Sequence, residues 1–160
     1  MDNLTIAPVQ EDEIALLEIA LRQLASDLDD PYRVKIKTLA DTVCGPTAPC
    51  LAMLATRDAK PLAATLAAPV LSTTLGGAGL FVSDLWVTQS VRGRGLARRM
   101  LAATLDEGSR RGIGHFLKLT VYHDNPGARA AYDRLGFSTH ADETNMFLTG
   151  TALETLRGST

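Results

Sequence analysis

Between Val91 and Met100 the chain reads VRGRGLARRM, four arginines and two glycines in ten positions. This stretch follows the strand-like run LFVSDLWV and opens a helical pattern. The first N–H groups of a helix lack helical partners, and the helix dipole adds partial positive charge there. Gly93 and Gly95 present no side chain to block approach, and Arg92 and Arg94 can add charge-assisted hydrogen bonds, so the turn is a cradle for phosphate oxygens. Two phosphate loops fail on inspection. A P-loop needs Gly-Lys-Ser/Thr, whereas Gly95 is followed by Leu96. The dinucleotide fingerprint needs a small residue where Arg98 stands, and an acid about 20 residues on at the end of a second strand. A Gly-rich turn with surface arginines is the bland alternative.

Other reactive residue types are sparse. His115, His123 and His140 are dispersed, and no pair has metal-site spacing. Cys44 and Cys50, separated by GPTAP, fit neither a zinc site nor a redox pair and read as two loop thiols. Tyr132 shares an apolar helix face with Ala128, Ala131 and Leu135, and Asn125 before Pro126 reads as an N-cap.

Charge is unevenly spread under a net value of −2. The first 30 residues carry eight acids against Arg22 alone, while Leu85 to Arg134 carries nine bases and four acids. This predicts a basic region for an anionic ligand and an acidic one that attracts a cation, against the alternative of solvated helix faces. Eight aromatics with no aromatic-interleaved basic patch argue against nucleic-acid binding.

The elements that must position these residues follow from periodicity. A chain of 160 residues, 46% apolar and 21% charged, predicts one soluble domain with a real core. Leu4 to Val9 reads as a strand. Ile14, Leu17, Leu21 and Leu24 predict a helix over Glu11 to Leu28, and Pro31 is expected to open a second helix running to Val43. Strands follow at Leu51 to Thr56, Leu62 to Leu71 and Leu80 to Thr88. Pro61 to Ser83 holds no charge, but its prolines, hydroxyls and glycines divide it into a hairpin, so no membrane partner is expected. A helix over Arg94 to Arg110 and the alternating run HFLKLTVY complete a parallel strand-helix-strand unit around residues 80–122. A helix over Pro126 to Leu135 ending at Gly136, a strand over Asn145 to Leu148 and a short helical tail close the chain. The start MDNLTIAPVQ lacks the basic and apolar regions of a signal peptide, which places the protein in the cytoplasm as an expectation.

VTQSVRGRGLARRML resembles motif A of the Gcn5-related N-acetyltransferases (Arg or Gln, any two residues, Gly, any one, then Gly or Ala), which falls on Arg92, Gly95 and Ala97. NPGARAAYDRLGF is similar to motif B of the same family, with Asn125, Ala128, Tyr132, Gly136 and Phe137 in place. One departure is Gln89, where many members have proline.

The resemblance implies an α/β (α+β) fold in a single domain over residues 1–160. Its sheet is mixed, mostly antiparallel and twisted, with six to seven strands flanked by about four helices. It implies acetyl-CoA as cosubstrate and no metal. Arg92, Gly93, Arg94, Gly95, Leu96 and Ala97 would hold the pyrophosphate, Leu85 and Val87 would pair through main chain with the pantetheine arm, and Asn125 and Arg129 would join from the motif B helix. Tyr132 becomes the general acid: a phenol near pKa ~10 can protonate a leaving thiolate whose parent thiol lies near ~8.5.

The acceptor implied is a small cationic primary amine, drawn to the loop carrying Asp29 and Asp30, and attacking directly without a covalent enzyme intermediate. STTLGGAGLFVSDLWV and MFLTGTALETL are similar to the spermidine/spermine acetyltransferase-like branch. That branch has Glu-Asp-Leu where this chain has Ser83, Asp84 and Leu85, so its proton-relaying glutamate is a serine that cannot act as a base near neutral pH. Strand alternation would turn Asp84 to the opposite sheet face from Ser83, and His123 is a further base candidate. Two rival readings stand: a protein N-terminal or lysine acetyltransferase, and a non-catalytic acyl-CoA-binding regulatory module. Dimers are frequent among similar enzymes, which makes a homodimer one of the expected assemblies.

Overall fold

Five strands in the order β1-β2-β3-β4-β5 form the sheet of the computed structural model, which describes residues 3–158. They are β1 (Thr5–Pro8), β2 (Leu51–Arg57), β3 (Lys60–Ser72), β4 (Gly77–Val87) and β5 (Leu117–Leu119). The first four pair antiparallel and β5 joins β4 in parallel, with Leu80 opposite Leu117 and Val82 opposite Leu119. The uncharged Pro61 to Ser83 stretch is indeed the β3-β4 hairpin. No helix among the described residues is long and apolar enough to cross a membrane.

Both faces of the central strands are covered, which is why β2 begins with five consecutive buried residues. Helix α1 (Ile14–Leu28) buries Ile14, Leu17, Ala20 and Leu21 on a three-and-four spacing. With Leu39 and Val43 of α2 (Ile36–Val43), they pack against Ala52, Leu54, Ala64 and Trp86. Replacing the fully buried Leu17 by alanine would cost about 2–5 kcal/mol. Successive strand residues point to opposite faces, so Thr65, next to Ala64, meets α3 (Leu96–Arg110) on the other side. There its hydroxyl lies 2.7 Å from that of Thr104, and both side chains are fully buried. Thr104 gives its own proton to the Met100 carbonyl at 2.8 Å, leaving Thr65 as the donor between them. This bond fixes the rotation of α3 on the sheet, and with it the turn that precedes the helix.

Contacts group the chain into two compact units, one ending at Tyr122 and the other beginning at His123. The second holds α4 (Pro126–Leu135) and α5 (Gly150–Leu156), the expected motif B helix and helical tail.

Three expectations are corrected. Among the described residues the sheet has five strands instead of six to seven. Asn145 to Leu148 forms no ladder: Met146 and Phe147 are each 89% exposed, and a short strand without a hydrogen-bonding neighbour has nothing to hold it. The second helix starts at Ile36, not Pro31. Asp29 ends α1 in the left-handed region at φ 57°, and the Asp30 N–H returns to the Ala25 carbonyl at 2.8 Å. The chain leaves this cap in an extended course that Pro31 favours for its neighbour.

Candidate acyl-CoA and amine site

Register decides which main-chain groups of β4 are available. Leu66 pairs with Asp84 while Ala67 pairs with Val82, so Ser83 is the extra residue of a β-bulge. Thr88 donates to the Leu62 carbonyl at 2.8 Å, which sets the alternation beyond the bulge. Trp86 and Asp84 therefore bond toward β3, whereas Leu85 and Val87 turn their N–H and C=O groups the other way. On that side β5 has already ended at Leu119, opposite Val82. The ladder between the two parallel strands ends there, so the N–H groups of Leu85 and Val87 have no strand partner on that side among the described residues.

The chain then passes through a short 3₁₀ turn, Gln89–Val91, into the arginine-glycine turn. Gly93 and Gly95 lie at φ 76° and 78°, conformations that a residue with a Cβ resists, and nothing stands within 4 Å of where either Cβ would be. Among the described residues, none of the N–H groups of Gly93, Arg94, Gly95, Leu96 and Ala97 has a protein acceptor. Five consecutive unsatisfied donors at a helix N-terminus form an anion cradle.

The arginines of the turn are used differently from one another. Arg92 donates from Nε to the Val87 carbonyl at 2.8 Å and from Nη2 to the Asp27 carboxylate of α1 at 2.5 Å. Its guanidinium fastens the turn to β4 and α1, leaving phosphate binding to the backbone. Arg94 has no ion pair among the described residues.

On the α1 side, the acidic residues have distinct jobs. Asp29 caps α1 through its backbone, and Asp30 accepts a bond from the Tyr122 hydroxyl at 2.9 Å. The bulge overturns the expected separation of Ser83 and Asp84: the Ser83 hydroxyl donates to Asp84 Oδ2 at 2.7 Å. Asp84 follows the parity of Trp86 and faces α1. Burial pushes its carboxyl above the usual range, and the Ser83 bond only partly offsets this.

A group that periodicity did not single out sits beside it. Tyr32 stacks under Arg22, whose guanidinium carbon lies 4.4 Å from the ring centre, and Arg22 pairs with Glu18 at 3.0 Å. The Tyr32 hydroxyl is buried with no hydrogen-bond partner. Its pKa is raised, first by burial and then by the charges of Glu18 and Asp84, which places both carboxylates near the phenol. The only signal in the sequence was an aromatic directly after the helix-breaking DDP.

In the second unit, Asn125 caps α4 by accepting the Ala128 N–H at 3.2 Å, and Gly136 closes the helix in the left-handed region. Tyr132 packs edge-on to Phe137 with ring centres 5.6 Å apart, and burial raises its phenol pKa. Arg129 is engaged by Asp133 at 3.4 Å and the Thr139 hydroxyl at 2.7 Å. His140 pairs with Glu143. No group of three or more His, Cys, Asp or Glu among the described residues has the geometry of a metal site, and both cysteines are free thiols.

Known structures share this architecture at low identity. An integron cassette protein from the mobile metagenome of V. cholerae is 18% identical, with a TM-score of 0.76 over 98% of this chain and 99% of that one. An aminoglycoside acetyltransferase from an uncultured soil metagenomic sample, solved with sisomicin, is 11% identical, with a TM-score of 0.76 over 92% and 97% of the two chains. The aminoglycoside N-acetyltransferase AAC(6')-Iy, solved with CoA, is 15% identical, with a TM-score of 0.74 over 93% and 95%. No curated protein sequence matches the chain. The profile of the acetyltransferase (GNAT) family matches residues 15–137, a span that takes in the parallel strands, the amide-lined turn and the motif B helix, and the chain belongs to that family.

Proposed function

We propose that the protein is an N-acetyltransferase that moves the acetyl group of acetyl-CoA to the primary amine of a small cationic acceptor, with residues 1–160 acting as one catalytic domain. The observation that carries this reading is the row of five unsatisfied amides from Gly93 to Ala97, next to the open main-chain edge at Leu85 and Val87. The cradle suits a pyrophosphate, and the open edge suits an amide-bearing arm pairing as a strand would.

In the reaction the amine nitrogen attacks the thioester carbonyl carbon, and a tetrahedral oxyanion forms. A main-chain N–H of β4 stabilises that charge. Asp84, with Tyr32 beside it, takes the proton the nitrogen must lose. Its raised pKa improves it as a base compared with an exposed carboxylate. Collapse of the intermediate breaks the carbon–sulfur bond, and Tyr132 protonates the departing thiolate. Glu18, Asp30 and Asp84 supply the negative field that selects a cationic acceptor.

The test is calorimetry with CoA, followed by thiol release from acetyl-CoA in the presence of a panel of amines and peptides. Binding with turnover on small polyamino compounds is the expected result. CoA binding without turnover on any acceptor would make the protein a regulatory module, and turnover on peptides alone would make it a protein acetyltransferase. No heat with CoA would overturn the reading altogether.

A further inference from the structure

Three arginines without an ion pair among the described residues line one cleft on the α3 side of the sheet. Arg57 comes from the end of β2, Arg94 from the glycine turn and Arg99 from the first turn of α3, over an apolar floor of Leu4, Leu62, Val91 and Leu96. Arg57 Nε is buried and has no hydrogen-bond partner. A buried charged donor left unpaired is costly, as is gathering three like charges in a chain whose overall charge is −2. A bound anion removes both costs.

We propose that this cleft is a second anion site, specific for a phosphate monoester dianion. Three guanidinium forks match a group with two charges and three terminal oxygens better than a single carboxylate does. The amide cradle contributes Arg94 and Leu96 to the lining, whereas Arg57, Arg99, Leu4 and Leu62 lie outside it, so the cleft adjoins the cradle and adds side chains that the cradle does not use. Its phosphate has two sources: the 3′-phosphate of CoA, or a free phosphorylated metabolite. The second source does not depend on the acetyl-CoA reading.

The experiment compares CoA, dephospho-CoA and inorganic phosphate on the full chain, in phosphate-free buffer, using calorimetry and thermal shift. Arg57→Met keeps the apolar stem and removes the fork. Arg99→Met, at an exposed helix position, serves as the second variant should the first fold poorly. If the 3′-phosphate occupies the cleft, wild type binds CoA about tenfold or more tighter than dephospho-CoA, and either variant erases that difference while leaving dephospho-CoA affinity unchanged. If a free phosphate is the ligand, the two cosubstrate forms bind alike, and millimolar inorganic phosphate raises the melting temperature of wild type but of neither variant. Equal binding of both forms together with no response to phosphate overturns the proposal. Failure of the amide cradle is distinguishable, because it abolishes binding of dephospho-CoA as well.

Discussion

Arg92 and Asp27 are 65 residues apart in sequence and 2.5 Å apart in space. Their ion pair ties the turn that presents the amide row to the helix whose end carries the acidic loop. Because both side chains are partly exposed, the pair itself contributes less than about 1 kcal/mol to folding. Its removal should act on geometry instead: Asp27→Ala is expected to raise KM for acetyl-CoA by about threefold to tenfold with a melting temperature close to wild type, since about 1.4 kcal/mol of misplacement is a tenfold loss. Steady-state kinetics beside a thermal melt checks this.

Asp84→Asn separates function from stability. Turnover should fall by about 10²–10⁴, the usual contribution of a positioned general base. Burial raises the folded-state pKa of Asp84 above its unfolded value of ~3.9. Its stabilising contribution is therefore complete below the unfolded value, declines as pH rises toward the folded value, and is gone above it. The neutral asparagine escapes that loss. At neutral pH the variant should resist urea better than wild type, with the advantage disappearing below about pH 4.

Tyr132→Phe should lower kcat while leaving the calorimetric affinity for acetyl-CoA nearly unchanged, because the hydroxyl is needed only when the thiolate departs. A loss of about 10²–10⁴ fits a general acid. Unchanged turnover would reduce Tyr132 to the partner of Phe137 in an aromatic pair.

Gly95→Ala puts a methyl group into the open space of the cradle and a Cβ on a backbone at φ 78°. The left-handed conformation costs about 1–2 kcal/mol, which should appear as a lower melting temperature. Loss of CoA binding should exceed what that strain explains, and titration at a temperature where the variant is fully folded measures it.

Asp29→Gly tests the opposite case. The aspartate sits where the cap of α1 favours glycine, at φ 57°. The change should stabilise the protein by up to about 1 kcal/mol. If Asp29 acts only as a cap, kcat/KM stays at the wild-type value.

The parts legible in the sequence are those dictated by local chemistry. The three-and-four spacing of Ile14, Leu17 and Leu21 marks α1, and Asn125-Pro126 with Gly136 brackets α4. Gly93 and Gly95 announce the turn by type alone. What could not be read depends on pairing between distant segments. The bulge at Ser83 exists only relative to Leu66 and Ala67 on β3, so strict alternation misplaced Asp84 against its neighbour. The Tyr32 phenol gains interest from Glu18 and Asp84, neither of which lies near it in sequence. The strand expected at Asn145 to Leu148 had the right residue types, but strand formation also requires a partner that periodicity does not supply.

The edge left unpaired where β5 stops at Leu119 has a cost that falls on the protein without its ligand. An interior edge where the N–H groups of Leu85 and Val87 have no strand partner, and only the Val87 carbonyl is taken by Arg92, is a template for an extended chain that meets it. A cosubstrate pairing there would shield it, and at about 100 times its dissociation constant would add about 2.7 kcal/mol to the folded state. The lifetime of this chain in a cell would then follow the acyl-CoA supply, with starvation exposing the same edge that feeding conceals.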